Sequence, residues 1–294
     1  MTFRTGIFNI IHKMANIDEL KRISSQVRRD IIRMVTGAKS GHPGGSMSST
    51  DFLVALYFNV MEHDPSTWTR DSKGQDAFIL SAGHLSPVYY SILARCGYFP
   101  VSELGTFRKL GTRLQGHPSV DKHLPGVVQT SGSLGQGLSA ALGLAMGKKM
   151  DNDSHLVYVL VGDGECEEGQ IWEAAMFATH HKIDNVIAIT DWNGQQIDGK
   201  IDDVAGVGDL RTKWEAFGWS VIESDGHDFN AILKAYAEAK SLCGKGRPVM
   251  ILMKSVMGEG VDFMAGTNKW HGKAPSEEQC QVALSQLEET LGDY

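Results

Sequence analysis

Leu156-Val157-Tyr158-Val159-Leu160-Val161-Gly162-Asp163-Gly164-Glu165 is an apolar run that breaks at Gly-Asp-Gly and opens into a helical pattern. Such a run, without polar alternation, reads as a strand buried on both faces, as in a parallel sheet. Working outward, short apolar runs recur at Phe78 to Leu80, Val186 to Thr190, Ser220 to Ile222 and Val249 to Met253, with helical patterns between them. This alternation predicts an α/β fold: a doubly wound parallel sheet with helices on both faces. Ligands of such sheets sit at the C-terminal ends of the strands.

The helical segments carry their own start and stop signals. From Asp18, the residues Leu20, Ile23, Val27, Ile31 and Val35 recur at three- and four-residue spacing up to Gly37. A second helix is expected over Leu134 to Met150, packing through Ala140, Ala141, Gly143 and Ala145, and a third over Glu167 to His181. A fourth runs from Leu210 to Phe217, stopped by Gly218, and a fifth follows Asp228 as N-cap. The last begins at the capping box Ser276-x-x-Gln279 and is expected to reach Leu291. With no repeats or low-complexity linkers, residues 1–294 read as one domain: an extension over 1–15, a core over about 16–275 and a C-terminal helix over 276–291.

Composition narrows the function. The 294 residues are 42% hydrophobic and 21% charged, ordinary for a globular chain, and no apolar run approaches the roughly 20 residues of a membrane-spanning helix. Thr2 to Lys13 lack the apolar core and cleavage site of a secretory signal. Cys96, Cys166, Cys243 and Cys280 form no CxxC pair, which argues against a zinc site or disulfide framework and for a reducing cytoplasm. A net charge of -7, with no basic block beyond Arg28-Arg29 and Lys148-Lys149, is not the footprint of a nucleic-acid binder. Partners are expected to be small molecules or protein.

Two strand ends carry the chemistry. The first presents Asp163; thirty residues on, Val186 to Thr190 end in Asp191-Trp192-Asn193-Gly194. On adjacent parallel strands, the oxygens of Asp163 and Asn193 can converge on one hard cation while the glycines admit a phosphate. Oxygen ligands favour Mg²⁺ or Ca²⁺ over zinc. Taken alone, Gly-Asp-Gly is equally a strand-to-helix turn capped by Asp163; Asn193 at a matching strand end tips the balance.

Gly162-Asp163-Gly164 followed by Asn193 resembles the thiamine diphosphate motif of thiamine-dependent enzymes. The chain is more closely similar to the N-terminal half of transketolase, whose thiamine-diphosphate-binding fold is a diphosphate-binding (PP-type) domain. The likeness is carried by Ser40-Gly41-His42-Pro43-Gly44-Gly45, Ser81-Ala82-Gly83-His84, Gly116-His117-Pro118, Gly132-Ser133-Leu134-Gly135-Gln136-Gly137 and Trp270-His271-Gly272-Lys273-Ala274-Pro275. It spans about Ile17 to Pro275.

The resemblance implies roles. Asp163, Asn193 and the backbone carbonyl of Gln195 would bind the metal, Gln195 standing where the family often has an aliphatic residue. Gly164 and Glu168 would lie against the diphosphate, Gly132 and Leu134 would frame the cofactor, and His84 and His271 would donate to the diphosphate. His42, His117 and His271 would line the substrate channel as proton shuttles. By default a lone histidine is structural, and His63, His155, His180, His181 and His227 are read that way. Of the acidic cluster Glu165, Glu167 and Glu168, two are expected to face solvent. Trp192 is read as a core or interface anchor.

The implied reaction is transfer of a two-carbon ketol unit from a ketose, usually a sugar phosphate, to an aldose by thiamine diphosphate. In transketolases the glutamate that protonates the aminopyrimidine and the phosphate-binding group come from a second domain. The resemblance therefore implies a separate C-terminal partner subunit, in a heterotetramer with two copies of each chain, and an apolar partner-facing surface. Rival readings are a subunit of another thiamine-dependent enzyme, a relative taking a sulfonated or branched sugar, a nucleotide- or nicotinamide-binding protein, and a catalytically dead scaffold. No G-x-G-x-x-G follows the first strand and no Walker lysine motif occurs.

Overall fold

Successive residues of the strands point to opposite faces, so Val157, Val159 and Val161 pack into one hydrophobic core while Tyr158 and Leu160 pack into another. The computed structural model describes residues 14–294, so most of the expected extension over 1–15 lies outside the described residues. In chain order the elements are α1 (Ile17–Ala38), α2 (Pro43–Ser48), α3 (Thr50–Ala55), β1 (Ala77–Leu80), α4 (Ser86–Arg95), α5 (Gln136–Met150), β2 (Val157–Gly162) and α6 (Gly169–His180). There follow β3 (Val186–Trp192), a hairpin of β4 (Gln195–Gln196) and β5 (Gly199–Lys200), α7 (Ile201–Val204), α8 (Leu210–Ala216), β6 (Ser220–Asp225), α9 (Phe229–Leu242), β7 (Val249–Lys254) and α10 (Glu277–Gln286).

Five strands form a parallel sheet in the order β1-β2-β3-β7-β6. From β1 to β3 the chain steps one way across the sheet, with α5 and α6 on one face; from β6 to β7 it steps back, with α9 on the other. Right-handed crossovers demand that change of face. The reversal leaves the C-terminal ends of β2, β3 and β7 together, with Gly162 beside Asp191 and Asp191 beside Met253.

Several boundaries differ from the sequence expectations. Helix α1 starts at a capping box that the sequence reading passes over, in which Asn16 N–H donates to Glu19 at 2.8 Å and Glu19 N–H to Asn16 at 3.0 Å. It also runs past Gly37 to Ala38 and ends on a left-handed Lys39. The expected helix from Glu167 begins at Gly169, after a short 3-10 turn over Gly164–Glu167. On α5, Ala141 and Ala145 are buried, but Gly143 is exposed and Ala140 half-buried. The last helix stops at Gln286, not Leu291. There Arg29 donates to the carbonyls of Leu284 and Leu287 at 2.9 and 2.7 Å and pairs with Asp293 at 2.7 Å, so an arginine takes the carbonyls that a longer helix would use.

Candidate active site

Asp163 follows the last residue of β2 and is buried. Its Oδ1 accepts from Gly164 N–H at 2.9 Å and its Oδ2 from Gly194 N–H at 2.6 Å, so the carboxylate spans the ends of β2 and β3. Burial, then the negative charge of Asp191, pushes its carboxyl up to about 8 despite those donors. Asn193 stands just past β3; its Oδ1 accepts from Gln195 N–H at 2.9 Å and its Nδ2 donates to Asp191 at 3.0 Å. That last bond fixes which way the amide faces, leaving oxygen on the side of Gln195.

Asp191 and Glu165 are two further carboxyls to which the sequence assigns no site role, Glu165 standing there only as one of the acidic cluster. Fully buried, Asp191 accepts from Ser48 at 2.7 Å, from Ser49 at 3.3 Å, from Asn193 and from Ser255. It thereby joins α2 to the ends of β3 and β7. Glu165 is the buried member of the acidic cluster, while Glu167 and Glu168 are exposed. It accepts from Ser81 Oγ, from Gly135 N–H at 2.8 Å and from Gly162 N–H at 3.1 Å. Burial raises the pKa of both carboxyls. Gly135, left-handed with φ +81°, turns the chain into α5. Two residues on, Gly137 lies so close to β1 that an added Cβ would meet Ser81 Cα at 2.5 Å.

The four motif histidines come together from four separate segments. His42 is the N-cap of α2, His84 lies in a 3-10 turn after β1, His117 is in the long loop before α5, and His271 follows a turn over Asn268–Trp270. The His42 ring centroid stands 5.2 Å from that of His84, 5.7 Å from His271 and 6.3 Å from His117, and His84 stands 5.1 Å from His271. Burial lowers all four pKa values first, taking His42 to about 4 with help from His271, Arg108 and His117. At neutral pH these are neutral imidazoles, and the buried Nδ1 atoms of His42 and His271 have no partner among the described residues.

One cavity of about 330 Å³ is lined by these four rings and by Gly132, Leu134, Asp163, Gly164, Glu168, Asn193 and Gln195. Every residue expected at the site thus lines a single space. Asp191, Glu165, Ile197 and Met257 line it too. No cluster of three or more His, Cys, Asp or Glu side chains suited to a metal occurs among the described residues; the expected ligand set uses one carboxylate, one amide and one carbonyl. Three of the histidines read as structural have partners of their own: His63 bonds Tyr98 and Tyr57, His155 bonds Asp153, and His227 bonds Asp51. Half-buried Trp192 lies under the Lys254 ammonium, 5.1 Å from the ring centroid.

Residues 20–290 match the family described as transketolase, thiamine diphosphate binding domain. The chain belongs to this family. It is a transferase component of transketolase type. It is 39% identical to the 6-deoxy-6-sulfo-D-fructose transketolase subunit SqwG of Clostridium sp. (strain MSTE9), over 92% of this chain and 96% of that one. It is 35% identical to an apulose-4-phosphate transketolase subunit of Phocaeicola vulgatus, over 94% and 96%. Rat transketolase is 35% identical over 92% of this chain, which spans only 42% of it. Among solved structures, transketolase from Leishmania mexicana superposes with a TM-score of 0.86 at 31% identity, covering 96% of this chain and 43% of that one. The sheet is thus that of the transketolase, thiamine diphosphate binding domain.

Proposed function

We propose that this chain holds thiamine diphosphate and a divalent cation, Mg²⁺ or Ca²⁺, for transfer of a two-carbon ketol unit from a ketose to an aldose. The observation that carries the reading is Asp163, a buried carboxyl that bridges two strand ends and accepts from backbone N–H groups of both. A divalent ion held by Asp163, Asn193 and the Gln195 carbonyl would offset the buried negative charge and favour the ionised carboxylate. The orphaned Nδ1 atoms of His42 and His271 fit a polar ligand in the same cavity. Gly132, Leu134, Gly164 and Glu168 border the cavity where the cofactor would lie, Glu168 being the N-cap of α6.

When bound, the cofactor supplies the carbanion chemistry that cleaves and forms the carbon–carbon bond. The chain's own residues bind and orient. His84 and His271 would donate to diphosphate oxygens. His42, His117 and His271, neutral at physiological pH, hold sugar hydroxyls and pass protons between carbonyl and alkoxide forms. The roles of Asp163, Asn193 and the histidines are tested by calorimetry with thiamine diphosphate and Mg²⁺ on the chain co-purified with its partner. Asp163→Ala should abolish metal-dependent binding, and unchanged affinity would remove the assignment.

The partner is a separate C-terminal transketolase subunit, in a heterotetramer with two copies of each chain. Two relatives named as subunits are each covered over 96% of their length by this chain, which supports the reading. The donor is a ketose with an anionic end group. Phosphate is one candidate, as in pentose phosphate metabolism, and sulfonate is the other, since the relatives' names include both a phosphorylated and a sulfonated sugar. Four free cysteines suit a cytoplasmic setting. Among the described residues no helix is long and apolar enough to cross a membrane.

A further inference from the structure

Arg108 adopts a left-handed backbone, with φ +56°, a conformation that glycine or asparagine enters far more readily than a long-chain residue. Its N–H donates to the carbonyl of Leu114 at 2.7 Å, closing the intervening turn. What holds an arginine in so unsuited a place is the work of its side chain.

The guanidinium lies between two loops of the cavity. Nη1 donates to Ser40 Oγ at 2.7 Å, in the loop that leads into His42. Its planar group rests on Gly116, next to His117, so closely that an added Cβ there would stand 2.8 Å from Cζ, Nε and Nη2. Behind it, Cζ stands 5.6 Å from the centroid of the Phe107 ring. Among the described residues no carboxylate offsets this charge, and Nε is buried without a partner. An ion pair is therefore not the reason for the arginine.

We propose that Arg108 is a positioning residue that clamps the His42 loop to the His117 loop and so sets the spacing of the two imidazoles across the cavity. The proposal rests on the reading of these histidines as facing substrate. The rings stand 6.3 Å apart at their centroids. The same geometry gives the cation a second effect. Around His42 lie His84, His117, His271 and Arg108, and around His117 lie His42 and Arg108. Arg108 adds to the dominant effect of burial in opposing protonation of both.

The test uses amide hydrogen exchange and ring titration by NMR on the full chain. Arg108→Gly removes the side chain and relieves the backbone, so it should melt no lower than the parent. Exchange in residues 39–42 and 115–117 should nevertheless accelerate at least tenfold, and the pKa values of His42 and His117 should rise. Ser40→Ala, which keeps the charge, should accelerate residues 39–42 without moving either pKa. Exchange within twofold of the parent in both segments of Arg108→Gly would overturn the clamp. Neither measurement involves cofactor or turnover, so a failure of the catalytic reading, seen as full ketol transfer in His42→Ala, is told apart from a failure of the clamp.

Discussion

At the residue scale the site is a place where burial outweighs every neighbour. His42 titrates near 4, not 6.5, because desolvation opposes the imidazolium and its charged neighbours are cationic. In the unfolded chain the ring takes up its proton as pH falls through 6.5, while in the folded chain it resists down to about 4. Its contribution to stability is therefore complete above pH 6.5 and is lost as pH falls toward 4. His42→Asn, uncharged throughout, should flatten that part of the stability profile in urea titrations, by on the order of 2 kcal/mol after allowance for solvent screening. An unchanged difference between pH 7 and pH 4 would show that the ring is not desolvated. The sequence exposed His42, His84, His117 and His271 because each sits in a Gly- or Pro-bearing motif. Asp191, Glu165 and Arg108 had no role legible in the sequence, because nothing local shows that Ser48, Ser49 and Ser255 surround the first, Ser81 and Gly135 the second, and Ser40 and Gly116 the third.

Elements position those residues by close approach, and the glycines of α5 show where closeness matters. At Gly137 an added Cβ would meet the backbone of Ser81 at 2.5 Å, whereas at Gly143 it would meet nothing within 4 Å. Gly137→Ala should push α5 off the end of β1 and destabilise the chain by roughly 1–3 kcal/mol. Gly143→Ala, in an open stretch of helix, should stabilise it by about 0.5–1 kcal/mol. Thermal melts of the two variants that moved in the same direction would contradict this packing. The strands and the amphipathic α1 were readable because period and apolar runs encode them locally. Helices α2, α3 and α4 went unread: nearly every residue in them is buried, so no polar face marks a helical period. The end of α10 is likewise set from outside, by Arg29 on α1.

On the scale of the whole molecule, one cavity gathers a buried carboxyl, an amide and four imidazoles from segments far apart in the chain, and the proposed function would have it take a diphosphate, a cation and sugar hydroxyls. The chain spans 96% of a relative named as a transketolase subunit, but only 42% of a one-chain transketolase, so residues that the longer enzymes carry elsewhere have no counterpart among these. Binding and turnover should therefore separate. Purified alone and given thiamine diphosphate, Mg²⁺, a phosphorylated or sulfonated ketose and an aldose, the chain should produce no ketol transfer above the uncatalysed background. Co-expressed with its C-terminal partner, it should turn over, and the preference between phosphate and sulfonate donors should follow the partner when partners are exchanged. Full activity of the highly purified single chain would mean that a proton donor for the cofactor lies within these 294 residues. Glu165, Glu167 and Glu168, the acidic cluster that lines the cavity, would then be the first to replace.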